Sequence, residues 1–276
     1  MPLVQALVLG LVQGLSEFLP ISSSGHLILT RWLFGWDPPG DPGVEKAFDV
    51  ALHIGTLVAV VAYFRDDLWR YVSKGLAVLW RRERPLDTDA RIAWLLVVAT
   101  IPGALVGAFF EDWIDRELGT PAIIAVSLIV FGLLLWWADR RTGQRRIEAM
   151  GLSDALAIGA AQALALNPGT SRSGITITAG RHLGFSRDAA ARVSFLLSLP
   201  ITLGAVVVKV GGLLADGIPD GLGSALVVGV LASFVSGLAA VWGTLTIIRT
   251  RTFTPFVIYR CALGVFVLVA LATSWR

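Results

Sequence analysis

The stretch Glu17-Phe18-Leu19-Pro20-Ile21-Ser22-Ser23-Ser24-Gly25-His26 sets an acid, a helix-breaking proline, three hydroxyls and an imidazole inside apolar sequence. A second stretch, Pro168-Gly169-Thr170-Ser171-Arg172-Ser173-Gly174, repeats the device with an arginine. Both sit in near-copies of one segment. Sliding residues 6–25 by 149 positions onto 155–174 matches eight of twenty residues, including Gly10/Gly159, Gln13/Gln162, Ser22/Ser171, Ser24/Ser173 and Gly25/Gly174. A duplicated hydrophobic segment, interrupted midway and polar at the break, points to a site built from broken helices inside a membrane protein.

The surrounding composition agrees. The chain is 55% hydrophobic and 16% charged, with a mean hydropathy of +0.72. Several apolar stretches exceed the roughly 18 residues that mark a candidate bilayer crossing. Many of the ten tryptophans lie at segment ends (Trp32, Trp36, Trp69, Trp80, Trp113, Trp136, Trp137, Trp275), as in an interfacial aromatic belt. The lone cysteine, Cys261, excludes an internal disulfide and reads as packing. Met1-Pro2-Leu3-Val4-Gln5 lacks a basic n-region, so no cleavable signal peptide is expected.

We expect an all-α integral membrane fold: one polytopic domain over 1–276, with pseudo-repeats 1–140 and 150–276. Six transmembrane helices are expected at 44–64, 91–110, 119–138, 188–213, 222–248 and 254–273. Segments 3–34 and 152–184 differ, because each half is too short to cross. They are expected as two re-entrant helix hairpins, whose irregular tips must be satisfied by protein or a cavity. The loops at 65–91 (Arg65, Arg70, Lys74, Arg81, Arg82, Arg84, Arg91), 139–151 (Arg140, Arg141, Arg145, Arg146) and Arg249/Arg251 are basic, and so are expected in the cytoplasm. Segment 111–118 (Glu111, Asp112, Asp115 and Glu117 against Arg116) and segment 214–221 (Asp216, Asp220) are expected on the outside. These arginine runs read as orientation signals, with no nucleic-acid partner. Three spans per half is an odd number, so the halves form an inverted-topology repeat. The tips Pro20–Ser24 and Pro168–Ser173 then meet near the midplane.

The chemistry lies at those tips. Gln13 and Glu17, four apart, share a helix face. A glutamate in an apolar segment is costly unless paired or wet. Pro20 ends its half-helix, and Ser22 or Ser23 caps the next one. The freed N–H groups and the positive dipole end favour an anion. Arg172 adds a planar fork suited to phosphate. Arginine, dipoles and hydroxyls select an anion rich in oxygen, whereas histidine and carboxylate serve a proton transfer. Phosphoryl transfer needs both.

Residues Glu17–His26 and Pro168–Gly174 resemble the two signature motifs of the BacA/UppP family, bacterial undecaprenyl-diphosphate phosphatases. The likeness covers the whole chain, including Phe48–Gly55 with His53. It implies removal of the terminal phosphate of undecaprenyl diphosphate at the outer face of the cytoplasmic membrane. That reaction recycles the carrier lipid for peptidoglycan and confers bacitracin resistance. It also implies a divalent cation, Ca2+ or Mg2+. The family's first motif is Glu or Gln, three residues, then Glu. Gln13 is the Gln form, and as a neutral ligand beside Glu17 it would hold a metal more weakly. Thr170 stands where the family often has an aromatic.

The expected roles follow. Arg172 clamps the diphosphate. Ser23 is the candidate nucleophile, with direct attack by water as the competing route. His26 is the partner base, and Glu17 orients it or binds metal. Gln13 supports Glu17, and Ser22, Ser24, Thr170, Ser171, Ser173 and Thr176 bind substrate or cap helices. His53 reads as a packing or helix–helix bonding residue within a span, and His182 as interfacial. The expected partners are the polyprenyl diphosphate lipid and membrane lipid, with a homodimer as the candidate assembly. The competing class is a polyprenyl-phosphate transporter or flippase, which needs charge and shape but no nucleophile beside a base. A phosphatidic-acid-type phosphatase is excluded, because no His–Asp pair follows Ser171-Arg172.

Overall fold

The computed structural model describes residues 1–36, 42–81, 87–216 and 222–273. Arg82, Arg84, Asp220 and Trp275 of the charge and aromatic reading lie outside the described residues, as do the side chains of Trp80, Arg81, Glu111, Asp112, Asp115 and Asp216. The described chain is helical: α1 (Leu3–Phe18), α2 (Ser23–Phe34), α3 (Pro42–Tyr63), α4 (Arg65–Arg81), α5 (Thr88–Leu118), α6 (Pro121–Asp139), α7 (Leu152–Ala163), α8 (Arg172–His182), α9 (Arg187–Asp216), α10 (Leu222–Thr250) and α11 (Thr254–Ala272). Among the described residues the only extended pairing is an isolated bridge between Arg145 and Phe185.

α5, α6, α9, α10 and α11 are long and apolar enough to cross a bilayer, and α3 with α4 forms a sixth, bent pair. This is a multi-pass membrane protein. Apart from α4, each of these helices falls on an expected span. The 65–91 segment corrects the sequence reading, since it is not simply a loop. Its first part is α4, turned 86° from α3. Asp66, Asp67, Arg70 and Lys74 share this helix with exposed Trp69, Val72, Leu76 and Leu79. That mixture suits a helix lying in the interface. The basic residues from which a cytoplasmic loop was expected also conceal its apolar stripe.

The two interrupted segments break for local reasons. Pro20 disfavours the helical region for Leu19, which caps α1 with φ −69° and ψ 142°. α7 tightens into a 3₁₀ turn at Leu164–Leu166 before Pro168. The restarts are equivalent. Ser22 (φ 80°) and Ser171 (φ 73°) are the only non-glycine residues with positive φ among the described ones, and they match in the duplication. Left-handed serine costs of order 1–3 kcal/mol and persists only where its surroundings over-determine it.

Packing places these breaks in the interior. α1 lies against α10, α7 against α5, α3 against α9, and α6 against α11. Gly14 makes the first contact feasible, because a Cβ there would meet the Gly237 amide at 2.6 Å. Such close approach of small residues is how helices associate in lipid. The largest apolar core among the described residues joins Phe18, Val60, Phe64, Ile158, Phe185, Phe195 and Val241 between these helices.

Candidate active site

The two breaks meet. The Gly169 amide donates to Ser22 Oγ (3.0 Å), and Ser173 Oγ donates to the Leu19 carbonyl (2.9 Å). A Cβ on Gly25 would lie 3.2 Å from the Gly169 nitrogen, so the two backbones touch. A residue without any sequence motif holds them there. Arg260 of α11 is fully buried, and its guanidinium makes five hydrogen bonds, all to backbone carbonyls. It reaches Pro20 (3.0 Å) in the first break and Gly169 (2.9 Å) and Thr170 (3.0 Å) in the second. Leu128 and Ser127 of α6 supply the others. Carbonyls freed by broken helices must be satisfied in a medium without water, and one arginine fork does this for both tips.

Glu17 stands at the junction. Its Oε2 accepts from Ser23 Oγ (2.6 Å) and Gln13 Nε2 (3.0 Å), and its Oε1 from Arg172 Nη2 (2.5 Å). Arg172 also donates through Nη1 to the Ser194 carbonyl (3.0 Å). One carboxylate thus bridges the hydroxyl of the first tip and the guanidinium of the second. Ser23 and Arg172 are the first residues of α2 and α8, where backbone N–H groups lack intrahelical partners.

A third group enters from α3. His53 Nε2 lies 3.6 Å from Glu17 Oε2. Its Nδ1 sits 2.9 Å from the Asp49 carbonyl and must donate to it, which turns Nε2 toward the carboxylate. Of the packing or helix–helix bonding expected for His53, the structure shows the second, a contact from α3 to Glu17 of α1. The same stretch of α3 is anchored by Arg31 of α2, which pairs with Asp49 and with Glu45 (3.3 Å). Arg192 pairs with Asp188 (2.8 Å) and Asp67 (3.4 Å).

His26 turns elsewhere. Its Nδ1 donates to the Ser22 carbonyl (2.7 Å), its Nε2 accepts from Tyr259 Oη (2.8 Å), and the two rings stack at 5.6 Å. With both nitrogens engaged, His26 is not oriented by Glu17. The remaining hydroxyls serve mostly to hold the tips. Ser171 caps α8 by accepting from the Gly174 amide, and it meets Ser173 Oγ at 3.2 Å. Thr170 accepts from Asn167 (3.1 Å). Thr176 donates to Ser194 Oγ (2.8 Å), tying α8 to α9. Ser24 is exposed on the first turn of α2. His182 stacks on Trp137 at 5.3 Å.

No group of three or more His, Cys, Asp or Glu side chains able to hold a metal occurs among the described residues. Gln13 Oε1, however, is buried without a hydrogen-bond partner, next to the Glu17 carboxylate. An amide oxygen and a carboxylate are donors that a hard cation accepts, beside phosphate oxygens and water.

Helices that span a membrane around two joined breaks, with a carboxylate, serine and arginine at the join, define an integral membrane protein with a phosphate-type site. A family model described as bacitracin resistance protein BacA matches residues 6–266. The chain is 44% identical to an undecaprenyl-diphosphatase of Elusimicrobium minutum, over 96% of this chain and 97% of that one. It is 47% identical to undecaprenyl-diphosphatase 2 of Stutzerimonas stutzeri, over 98% of each chain. It is 48% identical to an undecaprenyl-diphosphatase of Desulforudis audaxviator, over 96% of each. The chain belongs to the BacA family.

Proposed function

We propose that this protein is an undecaprenyl-diphosphatase, hydrolysing undecaprenyl diphosphate to undecaprenyl phosphate and inorganic phosphate. The observation that carries the reading is Glu17 held between Ser23 and Arg172. A carboxylate at 2.6 Å from a hydroxyl is within reach to take its proton. A guanidinium and two helix N-termini beside it favour the oxygens of a diphosphate. In the proposed reaction the incoming anion competes with Glu17 for Arg172, which releases the carboxylate to act as base. Ser23 Oγ attacks the terminal phosphorus and its proton passes to Glu17. The bond to the inner phosphate breaks, and undecaprenyl phosphate leaves with the electron pair and that proton. Water then cleaves the phosphoserine, Glu17 returns the water's proton to Ser23, and phosphate departs. His53 lies against Glu17 Oε2, away from the oxygen that Arg172 holds, and positions the carboxylate. His26 holds the start of α2 through Ser22 instead of serving as base.

A divalent cation, Ca2+ or Mg2+, would be held by Gln13 Oε1 and Glu17 with the substrate's phosphate oxygens. When bound, it would neutralise diphosphate charge.

The proposal includes the membrane arrangement. The residue-by-residue matching of Ser22 with Ser171 supports an inverted repeat, as do the reciprocal packings α1–α10 and α7–α5. α1/α2 and α7/α8 are then re-entrant hairpins, the site opens to the outer face of the cytoplasmic membrane, and the basic loops lie inside. Hydrolysis there would return carrier lipid to cell-wall synthesis and oppose bacitracin. The tip-to-tip hydrogen bonds and the Arg260 clamp favour the enzyme over a flippase, since alternating access would have to part them.

The test is phosphate release from undecaprenyl diphosphate by the detergent-purified protein, with and without chelator. Cation-dependent release is expected. No release from folded, cation-replete protein would reject the enzyme reading.

A further inference from the structure

A polar cavity lies away from the tips, at the end of the molecule that carries the basic turns. It has a volume of about 580 Å³ and gathers Arg140, Arg141, Arg181, Arg187 and Arg249 with only Asp139 and Asp188. The catalytic reading makes no use of it. A neighbouring cavity of about 410 Å³ is balanced by comparison, with Arg70, Arg146 and Arg192 against Asp67, Glu148 and Asp188. The excess of arginine therefore belongs to one place and is not shared by the whole basic face.

Part of that excess is structural. Asp139 is shared by Arg181 (3.2 Å) and Arg187 (2.7 Å), and its other oxygen takes the Phe253 amide (3.1 Å). Arg181 also spends its fork on the carbonyls of Phe185 and Arg141, at the ends of α8 and α6. Asp188 is shared by Arg192 (2.8 Å) and Arg249 (3.3 Å). Both carboxylates of the cavity are thus saturated. Arg140 and Arg141 pair with no carboxylate among the described residues. Each is stacked on a tryptophan instead, Arg140 on Trp136 (4.9 Å) and Arg141 on Trp137 (5.4 Å). Stacking orients a guanidinium by its face; Arg141 spends Nη1 on the His182 carbonyl (3.4 Å), and the other N–H groups of the pair are left for an anion.

The surface next to these rings identifies the anion. Trp136 also lines an apolar groove between α6 and α11, with Leu133, Val257, Ile258 and Val265. The same ring thus carries an arginine and begins a hydrocarbon channel. A free phosphate would use only the first, whereas a phospholipid uses both. We infer that this cavity and groove bind an anionic phospholipid, its phosphodiester between Arg140 and Arg141 and an acyl chain along α6 and α11. Basic pockets between membrane helices recognise headgroups in this way. The bound lipid would fix the ends of α6, α8, α9 and α10.

The test uses the full chain in detergent, with retained lipid counted by native mass spectrometry. The probes are phosphatidylglycerol, phosphatidylcholine and inorganic phosphate. Phosphatidylglycerol is expected to bind in preference to phosphatidylcholine. Arg140→Gln/Arg141→Gln, both exposed and free of carboxylates, should weaken it by about thirtyfold. Trp136→Ala should weaken phosphatidylglycerol without altering any binding of inorganic phosphate. Equal binding of the two lipids, or an arginine variant that retains phosphatidylglycerol fully, would overturn the inference. So would a site that takes inorganic phosphate and no lipid. Phosphate release from undecaprenyl diphosphate should persist in both variants, so failure here is separate from failure of the catalytic reading.

Discussion

Glu17, the acid in the first break, carries more of the proposed chemistry than any other side chain. It touches the nucleophile, the anion clamp, a supporting amide and an imidazole. Glu17→Gln keeps the shape and removes the base, so turnover should fall by about 10²–10⁴-fold. His26→Ala should cost much less, because His26 faces Ser22 and Tyr259. Phosphate-release rates on both variants check the order, and a larger loss at His26 would restore it as the base. His53→Gln should lower turnover by about tenfold with little change in KM, since it touches the base and leaves the anion clamp intact. Steady-state kinetics on the lipid substrate decides this. The motifs made Glu17, Ser23 and Arg172 legible in the sequence, because a charge in apolar sequence announces itself. His53 was not legible as a site residue. Its position depends on how α3 packs on α1, and no local pattern encodes that contact.

At the scale of elements, the account rests on two breaks held as one unit. Pro20 and Pro168-Gly169 made the interruptions readable, and the duplicated serines made the restarts readable. The clamp was hidden. Arg260 sits in an apolar helix, and its carbonyl partners on the tips come from breaks 240 and 91 residues away. Arg260→Met keeps most of the volume but leaves those carbonyls buried and unpaired, at about 1–3 kcal/mol each. The variant should unfold at markedly lower temperature in detergent and lose activity in proportion to the tips' disorder. A thermal melt followed by size-exclusion chromatography reads the first effect. Wild-type melting would show that the tips do not depend on Arg260. α4 was misread for a related reason: charge count alone cannot distinguish a basic loop from a basic amphipathic helix.

For the whole molecule, hydropathy located the five helices able to cross a bilayer and the α3 part of the bent pair, because the bilayer imposes both length and composition. The arrangement of those spans around a shared junction is a matter of tertiary packing, which the repeat suggested and hydropathy could not. The proposed orientation is checked with single cysteines in a Cys261→Ser background. A cysteine at Thr120, between α5 and α6, should react with an impermeant reagent added outside cells. One at Gln144, between α6 and α7, should react only after permeabilisation. The reverse pattern would invert the topology and place the site on the inner face.

The most direct test of a single centre made from both breaks is a double-mutant cycle on phosphate release, with Glu17→Gln, Arg172→Ala and the pair. Residues acting as one unit are strongly non-additive. The account predicts that the double variant is little worse than the poorer single variant. Losses that multiply in full would show that Glu17 and Arg172 act independently, and would contradict it.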